Sequence, residues 1–262
     1  MKVFTNLFAM AVLVFSLNVQ ADTSVVGVVI MHGKGGSPSK HVSDLAASLE
    51  RHGFLVANLE MPWSARRDYD VDVSAAENEV EIALAALRQK GASKVFVAGH
   101  SQGGLFALYF GGKHHIAGIV AIAPGGDVGN QTFREKLAQS FDLARKLVAD
   151  GKGQEKTRLS DFEGSKGIVP VVTTPAAYLT WFDPEGAMNQ RHAIQSITAD
   201  TPVLFIAPTS DYPGLTRVKQ EMFGLLAKHP LTKIYEPNSS HLGAPSASAQ
   251  EIEGWITNVT KQ

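Results

Sequence analysis

Ser101 stands in Gly99-His100-Ser101-Gln102-Gly103, between the apolar run Val95-Phe96-Val97-Ala98 and a second apolar stretch through Leu105, Leu108 and Tyr109. A serine on a tight strand-to-helix turn is presented as a nucleophile. Its hydroxyl stands clear of the sheet, and the glycines two positions away let the backbone close. The first-turn N–H groups and the positive end of the helix dipole face any negative charge that develops. In a chain with 24 glycines the five-residue pattern alone says little; its place on a strand–helix boundary gives it meaning. A serine hydroxyl also needs a base to take its proton and a carboxylate to orient that base. Asp211 follows the strand-like Pro202–Ala207, and His241, in Ser239-Ser240-His241-Leu242-Gly243, follows Thr232–Tyr235. Both leave the strand edge that carries Ser101. Asp127 is the rival acid, and Asp211 could instead be a turn residue ahead of Tyr212-Pro213-Gly214. His100 is expected to pack or hydrogen-bond, because adjacent residues on a tight turn point apart.

The loop His32-Gly33-Lys34-Gly35-Gly36-Ser37-Pro38 lets backbone approach a substrate closely. The backbone N–H groups of Lys34 and Gln102 are the expected oxyanion donors. No G-x-x-x-x-G-K-[ST] or G-x-G-x-x-G spacing is present, which argues against a phosphate loop. Substrate contacts are expected from Trp63 and Arg66, on the loop after the second strand, and from Trp181 further along. Arg66 and Arg67 could hold an anionic group bidentately or pair with Asp68 and Asp70 in a solvated loop; Trp181, with Tyr178, Phe182 and Met188, could form an apolar wall or an ordinary core.

These residues need a scaffold, and the rest of the chain supplies an alternation of strands and helices. Val25–Met31 is a nearly continuous β-branched run, as in a strand buried on both faces of a parallel sheet. Further strands are expected at 54–59, 94–98, 116–123, 202–207 and 232–235. Helices are expected on Val42/Leu45/Ala46/Leu49, on Val80/Ala83/Leu84/Leu87, after the serine turn, on Leu215/Val218/Met222/Leu226 and on Ile252/Trp255/Ile256/Val259. Ser74 with Glu77, and Ser248 with Glu251, read as capping boxes. The alternation implies right-handed crossovers and a parallel sheet covered on both faces, with ligand sites at the strands' carboxyl ends. Residues 125–200 break the rhythm, with one helix near Phe141–Val148 and the apolar Val169–Val172, and are expected to be an insertion over the sheet edge.

The chain has 262 residues, 44% hydrophobic and 19% charged, with a net charge of −1 and no cysteine. It is long enough for one well-buried domain, here residues 22–262. Near-neutral charge without a basic patch gives no field for nucleic acid. The absence of cysteine excludes disulfides and thiolate chemistry, and no metal or cofactor is expected. Residues 1–21, with Lys2, a short apolar stretch and Val19 and Ala21 at the end, read as a cleaved secretory signal. That implies export to a periplasm or the medium, with no stable membrane span after processing; an uncleaved anchor is the alternative.

Taken together, His32–Gly36 after the first strand, the Gly99–Gly103 turn, Asp211 and His241 resemble the α/β-hydrolase superfamily over nearly all of the mature chain. The resemblance implies an α/β fold whose mostly parallel sheet has about six strands, equivalent to the family's third to eighth, with helices on both faces and a cap at 125–200. It implies Ser101 as nucleophile, His241 as base and then acid, Asp211 as orienting carboxylate, and the Lys34 and Gln102 N–H groups as oxyanion hole. The expected activity is hydrolysis of a small-molecule carboxylic ester through an acyl-enzyme. A serine peptidase, amidase or thioesterase on the same scaffold, or a non-catalytic binding protein of hydrolase descent, are the alternatives.

Overall fold

A computed structural model describes residues 25–164 and 166–262; the expected signal segment lies outside them. The chain runs β1 (Val26–Met31), α1 (Ser43–Arg51), β2 (Leu55–Leu59), α2 (Val73–Gln89), β3 (Lys94–His100), α3 (Gln102–Gly111) and β4 (Gly118–Ile122). It continues through α4 (Gln131–Ala149), β5 (Thr157–Glu163), β6 (Gly167–Thr173), α5 (Pro175–Phe182) and α6 (Gln190–Gln195). β7 (Val203–Ile206), α7 (Pro213–Gly224), β8 (Lys233–Tyr235), α8 (Ala244–Ala247) and α9 (Ala249–Thr260) complete it. Strands β2-β1-β3-β4-β7-β8 form one sheet in that order, with every pair parallel. The expected six-stranded α/β architecture is therefore observed.

Side-chain alternation divides the core. Val29, Met31, Val97, Ile119, Ala121, Val203 and Phe205 join the α2 and α3 side chains Val80, Leu84, Leu105 and Phe106. Val28, Ile30, Phe96, Ala98, Val120, Ile122, Leu204 and Ile206 face Leu45 and Leu49 of α1 and Ile252, Trp255 and Ile256 of α9. Because both faces are covered, the central strands are apolar at almost every position. The strand order turns back between β1 and β3, so the carboxyl ends of these neighbours border the crevice where such sheets bind ligands.

Both expected capping boxes differ from what forms. Helix α2 starts at Val73, and Asp72 caps it by accepting from the Ala75 N–H at 2.8 Å, leaving Ser74 inside the first turn. Ser248 joins α8 directly to α9 with φ −104° and ψ 2°, so it lacks the extended conformation a capping hydroxyl needs; its buried Oγ has no partner among the described residues. The segment 125–200 holds α4, the antiparallel hairpin β5–β6, α5 and α6. Its hairpin reaches the strands' carboxyl end, where Asp161 bonds Lys34.

The start of α3 lies hard against the end of β1. A Cβ on Gly103 would fall 2.4 Å from the Met31 carbonyl oxygen and 2.6 Å from that of His32, and one on Gly99 would fall 2.0 Å from the Gly103 oxygen. Rigid backbone on both sides cannot give way. Gly103→Ala and Gly99→Ala are expected to remove most soluble, cooperatively melting protein, whereas Gly214→Ala, with open space around it, should leave the thermal midpoint unchanged or slightly raised.

Candidate active site

Ser101 adopts φ 55° and ψ −117°, a left-handed conformation for a non-glycine residue, which costs on the order of 1–3 kcal/mol. The surroundings impose it: its N–H donates to the Ile122 carbonyl at 2.8 Å, and its own carbonyl accepts from Leu105 N–H at 3.0 Å and Gly125 N–H at 3.1 Å. Gln102 follows as the first residue of α3, where an N–H has no intrahelical acceptor. In the facing loop, Gly35 N–H donates to the Trp63 carbonyl and Gly36 N–H to the Gly33 carbonyl, while the Lys34 N–H has no acceptor among the described residues. A Cβ on Gly33 would come within 3.1 Å of Ser101 Cβ, so this loop lies directly beside the serine.

Asp211 and His241 meet because the β7–β8 pairing continues past the strands. Thr209 N–H donates to the Pro237 carbonyl, Ser210 N–H to the Ser239 carbonyl, and Ser210 and Ser240 form a parallel bridge. The next residues are thereby brought side by side, and His241 Nδ1 lies 2.7 Å from Asp211 Oδ1, with both side chains buried. With Nδ1–H donated to the carboxylate, Nε2 is the free acceptor. Asp127, the rival acid, makes no hydrogen bond to His241 among the described residues. Its Oδ1 accepts from the Gly129 and Gln190 N–H groups, each at 3.0 Å, and so ties down the insertion's ends. Ser101 and His241 open onto the same cavity. Ser101 Oγ makes no hydrogen bond among the described residues.

Two further histidines brace the site. His32 donates through Nδ1 to the Gly33 carbonyl at 2.8 Å and accepts the Met61 N–H on Nε2 at 3.0 Å, and its burial lowers its pKa. His100 donates through Nε2 to the His241 carbonyl at 2.9 Å, its ring 4.9 Å from that of His241. Burial pushes His100 down to about 3. It is a neutral packing and hydrogen-bonding residue, as its place in the turn suggests.

The cavity measures about 1170 Å³. Leu215, Val218 and Met222 of α7, with Tyr212 and Leu242, give it an apolar wall, and Arg134, Arg191, Glu185 and Glu221 stand on the polar side. The α7 residues keep the spacing of a core-facing helix, and nothing in the sequence marks them as cavity-lining.

The sequence model of the alpha/beta hydrolase family matches residues 28–253. The chain belongs to the alpha/beta hydrolase family. No curated protein matches it significantly. Among solved structures, it is similar to a monoacylglycerol lipase of Paleococcus ferrophilus (TM-score 0.63, 19% identity, 89% of this chain and 94% of that one). It is similar to a metagenome-derived lipolytic enzyme of the LipS and LipT pair (0.59, 19%, 91% and 95%). It also resembles Est1E of Butyrivibrio proteoclasticus, seen with ferulic acid (0.61, 14%, 91% and 91%). At these identities the likeness is one of fold.

Three expected substrate contacts of this hydrolase lie elsewhere. Trp63 is buried: its Nε1–H donates to the His32 carbonyl at 2.8 Å, and its ring packs on Phe106 and Trp181, so it backs the Lys34 loop from the core side. Trp181 is also buried, donating through Nε1 to the Val71 carbonyl at 2.7 Å and packing on Tyr69 and Phe106. Arg66 points to solvent and pairs with Glu60, whose carboxyl it holds down at about 2. Its neighbour Arg67 binds Asp70 and Glu79. Aromatic bulk is more stable in the core, and the arginines find carboxylates close by.

Trp181→Ala should therefore cost about 3–5 kcal/mol in urea unfolding while leaving the preference between short and long acyl esters unchanged. His100 also implies an acid sensitivity. The unfolded chain protonates this imidazole below its ordinary 6.5, and the folded protein only near 3. Its share of stability is complete above pH 6.5 and is lost as the pH falls toward 3. In urea titrations from pH 6.5 down to about 4, His100→Gln should show a shallower decline than the parent, by up to about 1.4 kcal/mol per pH unit.

Proposed function

We propose that this protein is an exported serine hydrolase that cleaves a small-molecule carboxylic ester. The observation that carries the proposal is the buried 2.7 Å His241–Asp211 pair opening onto the cavity beside the strained Ser101. Ser101 Oγ attacks the acyl carbon while His241 Nε2 takes its proton, and the carbonyl oxygen becomes an anion received by the Lys34 and Gln102 N–H groups. The C–O bond to the alcohol then breaks, and the alcohol leaves with the proton from His241. Water, deprotonated by the same Nε2, attacks the acyl-enzyme; collapse releases the carboxylic acid and returns the proton to Ser101. The wall of Leu215, Val218 and Met222 receives the apolar part of the ester, a role taken over from Trp63, Arg66 and Trp181. Esterases and lipases among the structural neighbours favour an ester over an amide. The composition of residues 1–21 supports export. No helix among the described residues is long and apolar enough to cross a membrane.

The purified protein should hydrolyse p-nitrophenyl esters and be labelled by a fluorophosphonate at Ser101. Ser101→Ala should abolish labelling and lower kcat by at least about 10⁴-fold, and Asp211→Asn should lower kcat by about the same order with Ser101 still present. Full activity in a folded Ser101→Ala protein would overturn the assignment.

A further inference from the structure

The hairpin of the insertion buries a charge. Its inward face carries Leu159, Val171 and Thr173, and among them Asp161, only 2% exposed. A buried carboxylate is costly even when paired, and an apolar side chain of similar size holds a hairpin down equally well. Its contacts all lead to one place. Lys34 Nζ lies 2.7 Å from each Asp161 oxygen and also reaches the Phe162 carbonyl at 3.3 Å. The Phe162 N–H donates to Asp161 Oδ1 at 2.6 Å. The Tyr69 hydroxyl sits 3.3 Å from Asp161 Oδ2 and 3.1 Å from Gln102 Oε1. Burial, with the Asp161 charge beside it, raises the Tyr69 pKa far above its ordinary value, so the hydroxyl keeps its one proton and shares it between these two acceptors. Tyr69 is itself pinned: its ring packs on Trp181 and Phe182, and its carbonyl accepts from the Thr173 hydroxyl of the hairpin.

Lys34 and Gln102 come from different loops, after β1 and after β3, and they are the two residues whose N–H groups serve as oxyanion donors in the proposed reaction. Lys34 sits among Gly33, Gly35 and Gly36, the most pliable backbone at the site. We propose that Asp161 is a positioning residue that, through Lys34 on one side and Tyr69 to Gln102 on the other, fixes the spacing of the two oxyanion donors. The inference rests on the hydrolase reading. It gives the hairpin a catalytic purpose that does not require it to touch substrate: donors held in advance where negative charge develops stabilise the transition state more than the bound ester. Losing the brace therefore affects kcat and not KM.

Full-length protein carrying Asp161→Ala or Asp161→Asn tests this. With a p-nitrophenyl ester, Asp161→Ala should lose about 10- to 100-fold in kcat and Asp161→Asn, which keeps an acceptor for Tyr69, only a few-fold, with KM within about twofold of the parent. An acyl trifluoromethyl ketone forms an oxyanion on Ser101, so its inhibition constant should rise in proportion to the loss in kcat/KM. A folded Asp161→Ala protein with parental kcat and ketone affinity, or with a loss confined to KM, overturns the proposal. If Asp161→Ala does not fold, Tyr69→Phe decides, since it cuts the link to Gln102 without stranding a charge. A several-fold parallel loss in kcat and ketone affinity supports the role, and parental values overturn it. A parent protein whose Ser101 does not react with fluorophosphonate overturns the hydrolase reading together with this one; a reactive Ser101 with unaffected variants overturns the positioning role alone.

Discussion

The site depends on a contact that no side chain could make. Helix α3 begins so close to the end of β1 that the carbonyls of Met31 and His32 occupy the space where Gly103 would carry a Cβ, and Gly103 in turn fills the space beside Gly99. That proximity forces the turn, and the turn forces Ser101 into its left-handed conformation. It also brings Gly33 against the serine, so that two loops separated by about sixty residues of sequence become one surface. The strain is modest beside the packing around it. Val97, Ala98, Ile119 and Val120 in the flanking strands are fully buried, and the N–H and carbonyl of Ser101 itself are both hydrogen-bonded.

The other half of the site is held by an extension of the sheet. β7 and β8 are short, but their pairing carries on through Thr209, Ser210 and the Ser240 bridge. The loops therefore do not leave the sheet until they have placed Asp211 against His241. His100 completes the fastening by donating to the His241 carbonyl. His241 is thus held through its ring by a carboxylate and through its backbone by a residue of the serine turn. An imidazole restrained at both ends loses little freedom when a substrate arrives, which is the physical content of preorganisation.

The parts that could be read from sequence were those with a local signature. Central strands buried on both faces gave continuous apolar runs at Val26–Met31, Lys94–His100 and Val203–Ile206, and the six-stranded sheet followed. Asp211 was legible a few residues past Val203–Ile206, and His241 only by its place after the short edge strand Lys233–Tyr235. The misreadings share one cause: an aromatic on a loop has the same sequence signature whether it faces a cavity or the core. Trp63 and Trp181 could be placed only in the fold, where they pack on each other and on Phe106, a helix residue distant from both in sequence. Asp161 was invisible for a related reason, since its partner Lys34 lies 127 positions away and Asp161 itself sits in no pattern. Ser74 and Ser248 show the limit of short motifs, for each box was overruled by the path of the chain before it.

The β5–β6 hairpin stands outside the main sheet, and that raises a question of solubility. Ile168 and Val172 are exposed on a strand with only one partner, an arrangement that invites a second chain to add a strand. Along β6 the amides that face away from β5 belong to alternate residues, Ile168, Pro170 and Val172. Proline has no N–H to offer, and the Val172 N–H is already donated to Asp68 at 2.8 Å. A would-be partner finds one usable donor on the whole edge. The device that anchors the hairpin to the loop after β2 thus also guards the protein against edge-to-edge association.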